Sequence, residues 1–398
     1  MEALNVLCVS TYFKGQPFLQ ACKAAGNNVF LLTKKELEHE AWPREAIDEF
    51  FLIDEWNDDD IKNGIAYKMR SIHFDRFVAL DDFDVEKVAT LREHFRMPGM
   101  GETTARYFRD KLAMRIKAQD DGIPVPEFTA LFNDQDINRF ADTVPAPWLV
   151  KPRAEASATG IKKVYSKEEL WEVINSMGDE RHRYLVERFA PGDVYHVDGL
   201  NYLGEVIFSR VSQYLDTPFE VAHGGGIFRS HTVALGGEDD VALRALNERV
   251  MKSFGMRDSS SHTEFIRSKE TGEYFFLETS SRVGGANLAE MVEAATGINL
   301  WGEWARVENA VLRNISYELP AIKSTYAGIV VSLSRFEHPD TSSFTDPELV
   351  WRMDKPWHIG LIVTSDSRER VLELLDHYTQ RIGNEFHASL PAPDRSDN

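Results

Sequence analysis

The segment "HTEFIRSKETGEYFFLETSSRVGG", residues 262–285, constrains the fold of this chain more than any other stretch. Two apolar runs flank "KETGE", and Gly272 suits the tight reversal that pairs them as antiparallel strands. A turn centred on Thr271 puts Glu264 directly across from Glu278, where facing Cβ atoms lie about 4.5–5.5 Å apart and like charges repel. Side chains alternate along a strand, so Glu278, Ser280 and Arg282 share one face. Phe275, Phe276 and Leu277 mark a buried strand, and opposed carboxylates there require a cation or a proton. Oxygen donors of this kind suit Mg²⁺, which completes its shell with water and phosphate oxygens. The competing reading is a solvent-facing Glu pair, or a register one residue away; the hairpin alone does not choose.

At 398 residues the chain exceeds one compact core, so two or three packed units are expected. It is 43% hydrophobic and 27% charged, which excludes a mostly disordered chain. Lys and Arg total 45 against 64 Asp and Glu, a formal charge of -19. Such a surface repels nucleic-acid backbones and anionic membranes, so neither is expected as a partner, and an anionic ligand needs a local nest of donors. Cys8 and Cys22 show no metal-type spacing and no disulfide framework, which points to a reducing compartment. The opening "MEALNVLCVSTYF" reads as a strand, and no apolar run reaches the roughly 18 residues of a membrane span. A cytoplasmic protein is expected.

"LNVLCVSTYF", "PFLQACKAAG" and "NNVFLLT" give a βαβ start, and "FDRFVALDDF" adds a strand, so residues 1–100 read as a parallel-sheet domain. A helix capped at Thr103 or Thr104 is expected to run to Gly122, where Pro124 and Pro126 stop it. From Trp148 the texture changes to short strands with Gly-rich loops, interrupted by helical stretches and closed by "ANLAEMVEAATG", whose apolar face reads as core packing. This mixed α+β region divides into 101–190 and 191–320. Residues 321–398 read as a small αβ appendage with a frayed tail, Asp366 and Glu369 forming a capping box before its helix.

The loop in "VKPRAEASATGIKKV", residues 150–164, has small residues whose backbone N–H groups suit a polyphosphate. It lacks GxxxxGK[ST], and the chain has no complete GxGxxG, which disfavours a dinucleotide-dependent oxidoreductase. Lys151 at the strand end and Lys111 on the preceding helix can each place a point charge on phosphate; taken singly, each also reads as a solvated surface lysine. "YLVERF" leads through Glu187 to a turn at Pro191 and Gly192, either an adenine-reading strand end or simply a strand leaving the core. In "AHGGGIFRS", residues 222–230, His223 and Arg229 are candidates to cover an acceptor, against a plain surface loop. His196 and Asp198 read as structural.

A Lys before "GIPVP", a "VKP" strand with its small-residue loop, an apolar strand ending in Glu, and a hairpin ending E-x-S-x-R-x-G-G follow one another here. In that order the chain resembles the ATP-grasp superfamily, and within it the carboxylate-amine ligases, over residues 1–320. The resemblance implies an α/β and α+β fold: an N-terminal parallel-sheet (pre-ATP-grasp) domain, a central small subdomain and a larger mixed α+β subdomain. It implies that Lys111 and Lys151 touch ATP phosphates under the loop of Ser157 and Gly160, with Glu187, Arg188, Phe189 and Ala190 along the adenine. Asp193 is the acid nearest the ribose position. Glu264, Glu278 and Ser280 would hold one or two Mg²⁺, with Mn²⁺ as an alternative, and Ser280 stands where the family has Asn. Arg282 would stabilise the transferred phosphoryl group, with Gly284 and Gly285 beside the substrate. The implied reaction joins small-molecule carboxylate and amine substrates, amino acids among them, through an acyl phosphate; a homodimer is one expected assembly. A phosphotransferase, an acid-thiol ligase and a nucleotide-binding regulatory protein with a decayed site are the alternatives.

Overall fold

In a computed structural model, which describes residues 2–155, 159–219, 221 and 225–389, the described chain forms three sheets. β1 (Asn5–Val9), β2 (Asn28–Lys34), β3 (Glu49–Ile53) and β4 (Arg76–Ala79) make a parallel sheet in the order β3-β2-β1-β4. α1 (Gln16–Ala24), α2 (Asp58–Lys68) and α3 (Val85–Phe95) accompany it. The strand order changes direction between β1 and β4, and such a switch opens a crevice at the carboxyl ends of the two strands. Thr11 and Asp84 meet there, the Thr11 N–H donating to Asp84 Oδ2 at 2.7 Å, and Lys14 pairs with Asp81 at 2.5 Å.

The single helix expected from Thr103 to Gly122 is broken into α4 (Glu102–Arg106) and α5 (Lys111–Asp120). Gly101, rather than Thr103 or Thr104, caps α4. The break is chemical: Asp110 adopts an extended conformation, and its carboxylate accepts the Leu112 N–H at 2.9 Å while gripping Arg153. Lys111 therefore stands at the first position of α5, and its own N–H donates to Arg153 O at 2.8 Å. The helix start and the phosphate-loop strand are thereby joined.

β5 (Phe128–Ala130), β6 (Trp148–Pro152), β7 (Lys162–Val164) and β8 (Tyr184–Arg188) form a small antiparallel sheet in the order β5-β8-β6-β7. α6 (Asp134–Thr143) and α7 (Lys167–Met177) cover it, with Ile137, Trp148, Leu170 and Val186 in a shared core.

The large sheet contains β9 (Gly192–Tyr202), β10 (Glu205–Tyr214), β11 (Phe228–Thr232), β12 (Ser259–Ser268), β13 (Tyr274–Ser280), β14 (Tyr326–Leu333), β15 (Leu349–Arg352) and β16 (His358–Ser365). Their order is β13-β12-β9-β10-β11-β14-β16-β15. α8 (Glu238–Phe254), α9 (Leu288–Thr296), α10 (Leu300–Arg313) and α11 (Arg368–Glu385) pack around it. The segment expected to be an appendage instead continues this sheet, since β14 pairs with β11 from Phe228↔Val331 to His231↔Gly328. Gly328 is needed for that docking, because a Cβ there would lie 2.6 Å from Leu375 and 2.7 Å from Val371 on α11. Ser367, not Asp366, caps α11 by accepting the Arg370 N–H at 3.2 Å.

The parallel sheet is joined to the large one through α10. Phe18 meets Trp304 edge-on at 4.9 Å, Val283 and Leu200 fall in the same core, and buried Arg76 pairs with Glu308 at 2.7 Å. The carboxyl ends of β1 and β4 thus face the end of β13.

Candidate active site

A cavity of about 600 Å³ lies between the small and large sheets, its wall including Lys111, Lys151, Glu264, Glu278, Ser280 and Arg282. Glu264 stands opposite Glu278 in the β12–β13 ladder, the predicted pairing, although beside the turn Arg267 pairs with Tyr274, one residue off the register of a turn centred on Thr271. The Glu264–Glu278 pairing is reached through a bulge: Phe265 pairs with Phe276 and Glu264 with Glu278, so Leu277 is skipped. A bulge re-aims side chains beside it. Phe276 accordingly packs on Phe265 in the core while Glu278 faces the cavity, and the Leu277 carbonyl accepts from Arg115.

Each carboxylate has its own compensation. Lys111 Nζ lies 2.6 Å from Glu278 Oε2 and also donates to the Glu155 carbonyl at 2.7 Å. Glu264 accepts the Tyr214 hydroxyl at 2.8 Å and has His262 Nε2 at 3.7 Å, an ionic rather than a hydrogen-bonding separation. Burial opposes its ionised form, but His262 and Tyr214 win and hold Glu264 below the usual carboxylate range. The Ser280 hydroxyl is buried, with no hydrogen-bond partner among the described residues. An orphaned oxygen beside two carboxylates fits a hard divalent cation such as Mg²⁺.

Behind this face runs a buried chain. His262 Nδ1 is 2.8 Å from Asp198 Oδ1, His196 Nδ1 is 2.6 Å from Asp198 Oδ2, and His196 Nε2 is 2.8 Å from Ser230 Oγ. Burial works against a charged imidazole, yet Asp198 raises the His262 pKa to about 9. Gly284 rests on this pair, since a Cβ there would lie 2.7 Å from Asp198 Oδ1 and 3.0 Å from His262 Nδ1. The turn that carries Arg282 is thereby seated on the chain of histidines.

Arg282 reaches the parallel sheet, where it pairs with Asp82 just beyond β4 and donates to the Val283 carbonyl at 2.7 Å. Burial resists ionisation of Asp82, but the Arg282 and Arg109 guanidinium groups hold it below its ordinary range. Arg109, 8% exposed, lies 4.2 Å from the Phe83 ring centre and lines the cavity.

The adenine-side residues divide. Glu187 is 1% exposed, and its carboxylate is taken by Arg115 at 2.8 Å and by Lys151, so its side chain faces protein cations. Burial raises its pKa and the two cations more than reverse that. Phe189 has Lys163 Nζ 3.5 Å from its ring centre, and with Ala190 it lines the cavity. Arg188 turns its guanidinium to Glu270 at 2.7 Å and Glu127 at 3.6 Å. Asp193, half-exposed, faces Lys269 at 3.4 Å. Gly160 takes φ +69° between Thr159 and Ile161, which border the cavity.

Arg229 departs from its expected place over the acceptor. Asp216 at 2.7 Å and Asp376 on α11 at 2.9 Å engage it, so it ties β11 to the C-terminal helix. Gly285 lines the cavity. Ser157 and His223 lie outside the described residues.

The family model described as D-ala D-ala ligase C-terminus matches residues 118–201. An L-arginine-specific L-amino acid ligase of Bacillus subtilis is 26% identical over 264 residues, 64% of this chain and 62% of that protein. The chain thus spans less than two thirds of that curated relative's length. The crystal structure of an L-amino acid ligase from Bacillus licheniformis superposes with TM-score 0.77 at 17% identity, covering 98% of this chain and 99% of that one. The biotin carboxylase domain of Hydrogenobacter thermophilus 2-oxoglutarate carboxylase, a dimer solved with MgADP and bicarbonate, gives TM-score 0.72 at 16% identity over 98% of this chain and 92% of that one. The chain has the ATP-grasp fold.

Reading the sequence alone misses four polar groups in and behind this cavity: Arg115, Tyr214, Asp82 and Arg109. Only for Asp82 is there a local signal, the "LDDF" run after an apolar strand at a sheet crevice.

Proposed function

We propose that this ATP-grasp protein is an ATP-dependent carboxylate-amine ligase acting through an acyl phosphate. One observation carries the reading: two lysines, two facing carboxylates, an unpartnered hydroxyl and the half-buried Arg282 converge on one 600 Å³ cavity. The likeness to L-amino acid ligases supports the choice of acceptor chemistry.

In this reading a carboxylate oxygen of the first substrate attacks the γ-phosphorus of ATP, and the bond to the bridging oxygen breaks as ADP leaves. The amine then attacks the acyl carbon, loses a proton, and phosphate departs. Lys111 and Lys151 place point charges along the triphosphate, while the backbone at Arg188, Phe189 and Ala190 faces adenine. Arg282, fixed in angle by Asp82 and the Val283 carbonyl, presents a planar fork where negative charge gathers on the transferred group. Glu264, Glu278 and Ser280 would hold Mg²⁺, one ion or two, with Mn²⁺ as a substitute. When bound, the metal supplies charge neutralisation on the phosphate oxygens. Arg109 stands ready for an anionic group of a substrate, with amino acids the leading class. Assembly as a homodimer would follow the biotin carboxylase domain.

The test is ADP and phosphate release from Mg-ATP across a panel of amino acids, singly and in pairs. Release that requires both an acid and an amine is expected. Binding of ATP with no release across a broad panel, or release with an alcohol or thiol alone, overturns the reading.

A further inference from the structure

A second, smaller pocket of about 100 Å³ opens where the large sheet is notched. β11 is short and pairs with β10 only from Ser212 to Tyr214, while β14 begins at Tyr326. The notch is left between Ile207–Arg210 on β10 and Ile322–Thr325 ahead of β14. Its charged lining residues are Arg210, Arg244 and Lys323, with Ser209, Ser324 and Thr325 beside them and no carboxylate in the wall among the described residues. On a chain of formal charge -19 this is an unusual concentration of cations.

Arg210 is the focus. It is 2% exposed, and its guanidinium spends one donor on the Val233 carbonyl at 3.2 Å, while Nε and Nη1 find no acceptor among the described residues. Buried arginine donors are ordinarily paired, because leaving them unmade costs the full desolvation of the group. Burial pulls the Arg210 pKa below its usual value, and nearby Asp240 offsets this only in part. Asp240 Oδ2 accepts the Gly236 N–H at 3.0 Å and is 4.0 Å from Arg244, while its buried Oδ1 makes no hydrogen bond among the described residues, so this one acid is not engaged by the Arg210 donors. The last carbonyls of α9 are already occupied, Thr296 O by the Lys323 N–H at 2.8 Å and Ala295 O by Thr325. The negative end of that helix is therefore capped.

We propose that this notch is a binding site for a small tetrahedral oxyanion, a phosphate group, held by Arg210 at the floor and by Arg244 and Lys323 at the rim. The unpaired Nε and Nη1 of Arg210 each offer a charge-assisted hydrogen bond to a phosphate oxygen, and the rim cations balance a dianion. The site is separate from the main cavity. α9 runs from Leu288 at that cavity to Thr296 at this pocket, and β10 from Tyr214 to Arg210.

The test titrates the full chain with inorganic phosphate by calorimetry, beside two variants. Arg244 and Lys323 are exposed, so the double variant R244A/K323A keeps the fold, and it should bind phosphate at least tenfold more weakly. Lys111→Ala, in the other cavity, should retain one phosphate equivalent. Phosphate binding abolished by Lys111→Ala and unchanged in R244A/K323A overturns the proposal. Crystals soaked in selenate should show an anomalous peak within hydrogen-bond reach of Arg210, and a pocket without one also overturns it. Glycerol phosphate binding more tightly than free phosphate would assign the group to a phosphate ester, and equal affinity to the free ion; either supports the site.

Discussion

Lys111 Nζ and Glu278 Oε2 stand 2.6 Å apart, so the first residue of α5 and the bulged end of β13 share an ion pair across the cavity. The proposed phosphate-directed cation and the proposed metal-directed acid are thereby held in one line of sight. Glu278→Gln keeps the shape and removes the charge. Its side chain is 32% exposed and Lys111 keeps its bond to the Glu155 carbonyl, so the melting curve should barely move. ADP release should fall by about 100-fold or more, as when a charge-stabilising group is lost from a transition state. Activity close to wild type in the ADP-release assay would remove Glu278 from the metal site.

Arg109 tests the substrate side. Its guanidinium lies against Phe83 and has no salt bridge among the described residues. Arg109→Ala should raise KM for one substrate by roughly 10- to 100-fold, the value of a charge-assisted hydrogen bond, and leave KM for ATP nearly unchanged. The comparison to run is steady-state kinetics with a carboxylate-bearing acceptor and with its amide. An equal effect on both would show that Arg109 binds no carboxylate.

How much of this was legible follows from sequence separation. The β12–β13 hairpin is local, so turn chemistry and strand alternation found the Glu264–Glu278 pairing, although the bulge at Leu277 was invisible because it depends on what Phe276 packs against. Lys111 and Lys151 were candidates from residue type and position, and the resemblance gave them ATP phosphates as partners. The counter-charges around them were not legible, because Arg115 meets Glu187 across 72 positions and Arg282 meets Asp82 across 200. Arg229 misled for the same reason, since one of its aspartates, Asp376, lies 147 positions away on α11. Periodicity also merged α4 with α5, where a single capping carboxylate, Asp110, outweighs a continuous helical pattern.

Gly284 ties the two halves of the site together. Alanine there would press its Cβ against Asp198 and His262, both fixed by mutual hydrogen bonds. Overpacking of this kind costs about 1–3 kcal/mol, and relief must come from moving the turn that carries Arg282. Gly284→Ala should therefore lower kcat more than it weakens ATP binding, measured by turnover beside nucleotide titration. Unchanged kcat would mean that the turn is not seated on the histidine pair.

The Arg115–Glu187–Lys151 cluster is a stability test. Glu187→Gln leaves two cations without their shared counter-charge in a site that is nearly dry. Breaking a buried pair from one side costs about 3–5 kcal/mol. A clear drop in the urea midpoint is expected, with loss of ATP binding as Lys151 is released. A midpoint equal to wild type would show that the cluster carries no net stability.

His231 sets the acid limb of stability. It is 1% exposed on β11, its Nδ1 hydrogen-bonded to the Thr232 carbonyl at 3.0 Å. Burial, reinforced by the nearby charges of Arg368, His196 and Arg210, lowers its pKa to about 4. The unfolded chain binds this proton near the ordinary value of about 6.5, so between those values unfolding takes up a proton. Its contribution is complete above about pH 6.5 and declines as pH falls toward 4, by on the order of 2 kcal/mol at pH 5. His231→Gln removes the titration, so the variant should lose less stability than wild type between pH 7 and pH 5 in urea unfolding. Parallel losses in the two proteins would show that His231 already carries its proton in the folded chain.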